Sequence, residues 1–230
     1  MIKAVIFDID GTLVDSVDLH AQAWKEAFKH FGKEIPYEQV RKQIGKGGDQ
    51  LMPVFFSREE LDQFGEEMEA YRGELYKRDF LPRVRAFPQV RELFERLKAD
   101  GLKLALASSA KADELATYKN LARIEDLVAE ETSADDVDKS KPHPDIFKAA
   151  LDQLGEMQPL EAIAVGDTPY DAEAAGKLRL RTMGVLCGGF PEEELRAAGC
   201  FAIYRDPADL LERYDESILG RAARTEAQSK

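Results

Sequence analysis

At 230 residues, 44% of them hydrophobic and 33% charged, the chain can bury a substantial core, as one large domain or a main domain carrying a smaller one. Its 32 Lys and Arg against 44 Asp and Glu give a formal charge of -12, which argues against a nucleic-acid partner and obliges any anionic ligand to meet a local cation. No apolar stretch approaches about 20 residues and the opening residues lack a secretory pattern, so no membrane partner is expected and the expected location is the cytoplasm.

The first element is an apolar, β-branched run over 2–7 that reads as a short buried strand. It leads directly into Asp8-Ile9-Asp10-Gly11-Thr12. Two carboxylates two residues apart at a strand end face one crevice, and Gly11 lets the chain turn sharply away. Such a pair is costly to ionise unless a cation or hydrogen bonds compensate, so the segment reads as a metal-assisted nucleophilic site. The plainer alternative is a strand followed by a polar Asp-Gly turn.

A helix is predicted over 16–32, with Val17, Ala21, Trp24, Phe28 and Phe31 along one side and Gly32 as its stop. Residues 37–80 carry further helical pattern and no strand; Gly45-Lys46-Gly47-Gly48 interrupts it, and Ser57-Arg58-Glu59-Glu60 resembles a capping box. From residue 88 the rhythm becomes strand-helix alternation. Helices are predicted over 88–100, 110–121, 143–155, 169–177, 191–198 and 207–213, and strands over 102–107, 126–129, 163–165, 181–186 and 201–204. This alternation implies an α/β fold, an open parallel sheet with helices on both faces, with an all-helical insertion after the first strand. The expected division is a core of 1–15 and 83–215, a helical cap of 16–82 and a polar, weakly ordered tail of 216–230. Cys187 and Cys200 offer no disulfide framework or metal-ligand spacing and read as small buried residues.

Ligands of open α/β sheets bind beyond the carboxyl ends of the strands. Asp8 and Asp10 fall there, as do Ser108 and Ser109 ahead of a helix, and Gly166-Asp167 with Asp171 four residues on; Lys141 stands just before Pro142 and the next helix. Two acidic pairs, hydroxyls at a helix start and one lysine thus share a rim suited to a phosphate. Taken singly, Asp167 and Asp171 also suit a helix cap and a first-turn acid, Ser108 a cap and Lys141 a solvated side chain.

In this order, Asp8-x-Asp10-Gly11-Thr12-Leu13, the strand ending in Ser108, Lys141 before Pro142 and Gly166-Asp167-x-x-x-Asp171 resemble the haloacid dehalogenase-like hydrolase superfamily, near phosphoglycolate phosphatases and β-phosphoglucomutase. The resemblance implies a Rossmann-like core and a Mg²⁺-dependent phosphatase acting on a small phosphorylated metabolite. Asp8 would be the nucleophile, forming an aspartyl-phosphate, and Asp10 the acid and then the base, its pKa raised by neighbouring negative charge. Mg²⁺ would take Asp8, Asp167 and the carbonyl of Asp10, with Asp171 supplementing that shell, while Lys141, Ser108 and Ser109 would hold phosphoryl oxygens. The segment Asp15 to Lys25 looks like the start of a β-phosphoglucomutase cap, which implies a place near the site for His20; a partly buried helix residue is the plainer reading. Lys46 is a candidate for a substrate anion or a flexible loop charge, and Lys25 or Lys46, by position only, for the Schiff base of a phosphonate hydrolase. Asp10 argues against a dehalogenase, and Gly166 where the mutase has Glu argues for a phosphatase over a phosphosugar mutase, with a non-catalytic relative as a further alternative. The sequence does not fix an oligomeric state; a monomer is compatible with it.

Overall fold

β1 (Ala4–Phe7) is apolar at every position because it is buried on both faces. The computed structural model describes residues 1–155 and 157–221. A short strand, β2 (Val14–Asp15), follows the first turn and leads into four helices: α1 (Val17–His30), α2 (Tyr37–Arg41), α3 (Gly48–Leu51) and α4 (Arg58–Leu75). The chain returns through β3 (Arg85–Ala86), which pairs antiparallel with β2. This two-residue pairing is too short to leave an alternation in the sequence, and it was not expected.

The rest is the alternation of α5 (Val90–Ala99), β4 (Lys103–Ala107), α6 (Ala112–Ala122), β5 (Glu130–Thr132), α7 (Asp145–Gln153), β6 (Ala162–Gly166), α8 (Pro169–Lys177), β7 (Arg181–Val185), α9 (Glu192–Ala197), β8 (Cys200–Tyr204) and α10 (Pro207–Glu212). Six strands form one parallel sheet in the order β5-β4-β1-β6-β7-β8. The chain steps outward from β1 to β5 and then returns to β6 on the other side of β1. That reversal opens a crevice at the carboxyl ends of β1, β4 and β6.

Side-chain alternation assigns the two faces. Val5, Phe7, Leu104, Leu106, Ile163 and Val165 point into the larger core, with Leu93, Phe94 and Leu97 of α5 and Leu115 and Tyr118 of α6. Ala4, Ile6, Ala105, Ala107, Ala162 and Ala164 point the other way, and these mostly small side chains let α7 and α8 pack close. The inserted helices have their own core, built on Val17, Ala21, Trp24 and Phe28 with Phe31 packed beside them, the stripe expected of α1. The expected capping box also forms: Glu60 N–H reaches Ser57 Oγ at 3.3 Å and Ser57 N–H reaches Glu60 Oε2 at 2.7 Å.

Two expectations need correction. The strand placed over 126–129 lies instead at Glu130–Thr132. Arg123, at φ 56, ends α6, and Ile124 and Leu127 enter the core from a turn rather than a strand. The true strand is at the sheet edge, where two glutamates are tolerated because one side faces water. Second, the segment expected to be a polar tail starts packed: Leu219 is fully buried in the main core, and only 222–230 of that stretch lie outside the described residues.

Candidate active site

The turn after β1 sets the site. Asp8 N–H bonds Val165 O at 2.9 Å, which fixes the end of β1 beside β6, and Gly11 then adopts φ 80, a left-handed conformation that favours glycine. A Cβ on Gly11 would stand 2.3 Å from Asp167 Oδ2, so this glycine is required both by its backbone and by its neighbour. Thr12 Oγ1 lies 3.0 Å from Asp8 Oδ2 and 3.1 Å from Asp167 Oδ1, joining the first and last motifs through one hydroxyl.

Lys141 is 1% exposed. Its ammonium donates to Asp8 Oδ1 and lies 2.8 Å from Asp171 Oδ1. Burial opposes this charge, but Asp171 and Asp8 outweigh it and hold the lysine pKa above its ordinary value. The other oxygen of Asp171 accepts from Thr168 N–H and Oγ1 at 3.1 and 2.7 Å, closing a capping box at the start of α8. Both readings of Asp171 therefore hold at once: it is a first-turn acid, and it pairs with the buried lysine. The helix cap is Thr168, not Asp167.

Asp8, Asp167 and Asp171 offer oxygens that lie within 4.8 Å of one another, all buried. Three carboxylates face one ammonium. Burial, supported by repulsion from Asp171 and Asp10 and resisted by Lys141, pushes the Asp8 carboxyl up to about 7, and burial with Asp8 and Asp171 drives Asp167 well above the usual carboxylate range. Asp167 Oδ2 is buried without a hydrogen-bond partner among the described residues, and a Cβ on Gly188 would come within 1.7 Å of it. A hard, oxygen-seeking divalent cation fits this set: it would balance the two uncompensated charges and occupy the orphaned oxygen. The Asp10 carboxylate is outside this cluster.

Asp10 points elsewhere. Its Oδ1 accepts from Ser16 Oγ at 2.6 Å and faces His20 Nε2 at 2.8 Å, while Oδ2 is left to a cavity of about 240 Å³. Arg72 of α4 bonds His20 Nδ1. A guanidinium only donates, so Nδ1 is the acceptor and Nε2–H is directed at Asp10. Burial opposes ionisation of Asp10, yet His20, Ser16 and Arg72 hold its pKa below the ordinary value. The expectation of a raised Asp10 pKa is therefore reversed. The decisive charges come from α1 and α4, distant in sequence, rather than from the adjacent acids.

His20 is buried in contact with Asp10, and Tyr118 Oη lies 3.2 Å from its Nε2. Ser108 is fully buried, its Oγ accepting from Ala110 N–H at 3.1 Å, and it is absent from the cavity wall; Ser109 lines the cavity instead, its hydroxyl buried and without a partner among the described residues. Lys46 also lines the cavity, but its ammonium donates to Gln43 Oε1 at 2.6 Å and sits 4.6 Å from the Tyr170 ring centroid. Lys25 is on the exposed side of α1 and does not line the cavity. A Cβ on Gly166 would stand 2.5 Å from Asp171 Cγ, so position 171 fills the space that a side chain at 166 would need. Cys187, with Sγ 3.1 Å from Gly11 O, has its thiol pKa pushed up by burial and by Asp167, in keeping with an inert packing role.

Sequence reasoning missed Arg72, Tyr118 and Glu114 as neighbours of the site. Each is one residue on a helix face with no spacing signal, and only packing brings them to the cavity. Thr12 and Ser16 were inside the quoted motifs, but nothing local indicated their partners.

Residues 5–185 match the family model of the haloacid dehalogenase-like hydrolases. The chain is 33% identical over 192 residues to a phosphoglycolate phosphatase of Aquifex aeolicus, covering 81% of this chain and 85% of that one. It is 28% identical over 210 residues to a phosphorylated carbohydrates phosphatase of Thermotoga maritima, covering 91% and 96%. A hydrolase of Pseudomonas syringae of known crystal structure superposes with TM-score 0.81 at 30% identity, covering 93% of this chain and 98% of that one.

Proposed function

This chain belongs to the haloacid dehalogenase-like hydrolase family, and we propose that it is a Mg²⁺-dependent phosphatase of a small phosphomonoester that works through an aspartyl-phosphate on Asp8. One observation carries the reading. Asp8, Asp167 and Asp171 are buried together around a single ammonium, with one carboxylate oxygen left unpaired. A purely structural ion-pair network would balance its charges; this one is short by two, beside an open cavity.

Asp8 would attack phosphorus at the rim of β1. Lys141, held against Asp8 and Asp171, would steady the nucleophile and offset charge on the phosphoryl oxygens. Asp8 and Asp167 would hold the divalent ion, which supplies charge neutralisation for an anion entering an acidic site. Asp171, engaged by Lys141 and its own helix cap, would orient that set.

Asp10 would pass a proton through its cavity-facing Oδ2, first to the leaving alcohol and then from the attacking water. His20 and Ser16 anchor its other oxygen and favour the ionised form. Substrate phosphate adds negative charge beside Asp10 and raises its pKa, so the acid form would be selected by the bound substrate and lost when the product leaves. The helical insertion over 16–82 would act as a cap that supplies His20 and Arg72 to this step. The space taken by Asp171 at position 166 favours a phosphatase over a mutase carrying Glu there.

The test is phosphate release from p-nitrophenyl phosphate with and without Mg²⁺. The wild type should be active only with the metal, and Asp8→Asn should lose at least about 10³-fold in kcat. Equal turnover by the two proteins would overturn the reading. A hexose 1-phosphate should yield free phosphate; a phosphate-shifted isomer would mark a mutase.

A further inference from the structure

The cavity is not lined uniformly. Besides Asp167 Oδ2 in the acid cluster, several polar groups of the cavity wall have no hydrogen-bond partner among the described residues. Glu114 of α6 is 2% exposed and lines the cavity. Among the described residues, no hydrogen bond or ion pair reaches its carboxylate. Lys77, a cation on which the Glu114 charge acts, pairs instead with Asp113 at 2.6 Å. Glu69 of α4 also lines the cavity and has no hydrogen-bond or ion-pair partner among the described residues; a Cβ on Gly48 would stand 3.2 Å from its Oε1. The same wall has two buried donors, Arg72 Nε and the Ser109 hydroxyl, that find no acceptor among the described residues. A buried polar group that finds no partner within the protein is costly and is satisfied by what binds there.

We infer that the leaving group is an uncharged, polyhydroxylated one, of the sugar or polyol class, and that Glu114 selects it by accepting hydrogen bonds from its hydroxyls. The inference rests on the phosphatase reading above. A hydroxyl both donates and accepts, which matches a wall of carboxylate acceptors and isolated donors. A second anionic group would face a lining of seven acidic and three basic side chains, in which Lys46 is engaged by Gln43 and Arg72 by His20, so that the exposed Lys111 is the remaining cation against seven acids. A cationic amine would satisfy the carboxylates but would share the wall with the Arg72 guanidinium. The neutral polyol is the class that neither charge repels.

The experiment compares kcat/KM of the Mg²⁺-loaded enzyme for glycerol 3-phosphate, glucose 6-phosphate, phosphoglycolate, phosphoethanolamine and p-nitrophenyl phosphate. At least one polyol or sugar phosphate should exceed phosphoglycolate and phosphoethanolamine by about tenfold or more. Glu114→Leu should lower the ratio of its kcat/KM to that for p-nitrophenyl phosphate by about tenfold, mainly through KM, with the near-isosteric Glu114→Gln in between. Preference of the wild type for phosphoglycolate or for phosphoethanolamine would overturn the inference, as would an equal loss on both reference and polyol substrates in the Glu114 variants. Asp8-dependent hydrolysis of p-nitrophenyl phosphate alongside any of those results would leave the phosphatase reading standing. Absence of hydrolysis in every case would remove both.

Discussion

The buried cluster that meets the cavity through Asp8, its floor, and the lining that carries Glu114, its wall, solve opposite problems. On the floor, Lys141 is shared by Asp8 and Asp171, Asp171 is also fixed by Thr168, and Thr12 joins Asp8 to Asp167. On the wall, Glu114, Glu69, Arg72 Nε and Ser109 Oγ are placed but have no partner among the described residues. The difference teaches where the protein has already met the cost of ordering. Groups that must stabilise charge during reaction are locked by contacts from separate elements, so little reorganisation remains at the moment of chemistry. Groups that distinguish one substrate from another stay open, because discrimination requires an interaction that the wrong ligand leaves unmade.

The largest break in this contrast should come from Lys141→Met. It removes the ammonium and leaves three buried carboxylates facing one another. Activity should fall at least about 10³-fold, and the metal-free protein should lose about 3–5 kcal/mol in denaturant unfolding, the typical result of stripping one partner from a buried pair. A variant with wild-type kcat would show that the floor is structural scaffolding.

An intermediate effect is expected from pH and metal together. The folded pKa of Asp8 is pushed up to about 7, well above the ordinary carboxylate range, so the folded state holds its proton more tightly than the unfolded chain. Stability from this group is full below the unfolded pKa and declines as pH rises through about 7; Asp167, also raised, acts in the same sense. Asp10, lowered, contributes in the opposite direction at acid pH, where its stabilisation is lost as pH falls through its folded pKa. Added Mg²⁺ should therefore raise Tm by about 5 °C or more at pH 8 and by much less at pH 5, measured by scanning calorimetry. An identical shift at both pH values would contradict the charge imbalance assigned to the floor.

The smallest effect should come from Lys46→Ala. Its ammonium is turned to Gln43 and Tyr170, so KM for polyol and anionic phosphates alike should change less than about threefold. A tenfold rise in KM for an anionic phosphate alone would show that this lysine turns into the cavity on binding, and would narrow the contrast between wall and floor.

Much of the floor was legible in the sequence. Asp8, Asp167, Asp171 and Lys141 are each tied to a strand end or helix start, and periodicity locates those ends to within a few residues. The helical insertion was equally clear, because α1 carries a single apolar stripe and α4 a full capping box. The edge strand was misplaced because Leu127 and Val128 are apolar outside any strand while Glu130 and Glu131 are charged within one, the reverse of the usual signal. The pairing of β2 with β3 left no signal at all, being two residues long on each side.

The sequence alone determined the order of elements, the alternation that makes the sheet parallel, and the set of acids and the lysine delivered to its rim. These follow from local periodicity and turn chemistry, which act over a few residues. Only the tertiary structure decided that Asp10 is ionised more readily than an ordinary carboxylate, that Asp167 keeps an unpaired oxygen, and that Glu114 faces the cavity alone. Those properties depend on desolvation and on charges summed through space, across contacts such as Arg72 to His20 that are 52 residues apart in the chain and adjacent in the fold.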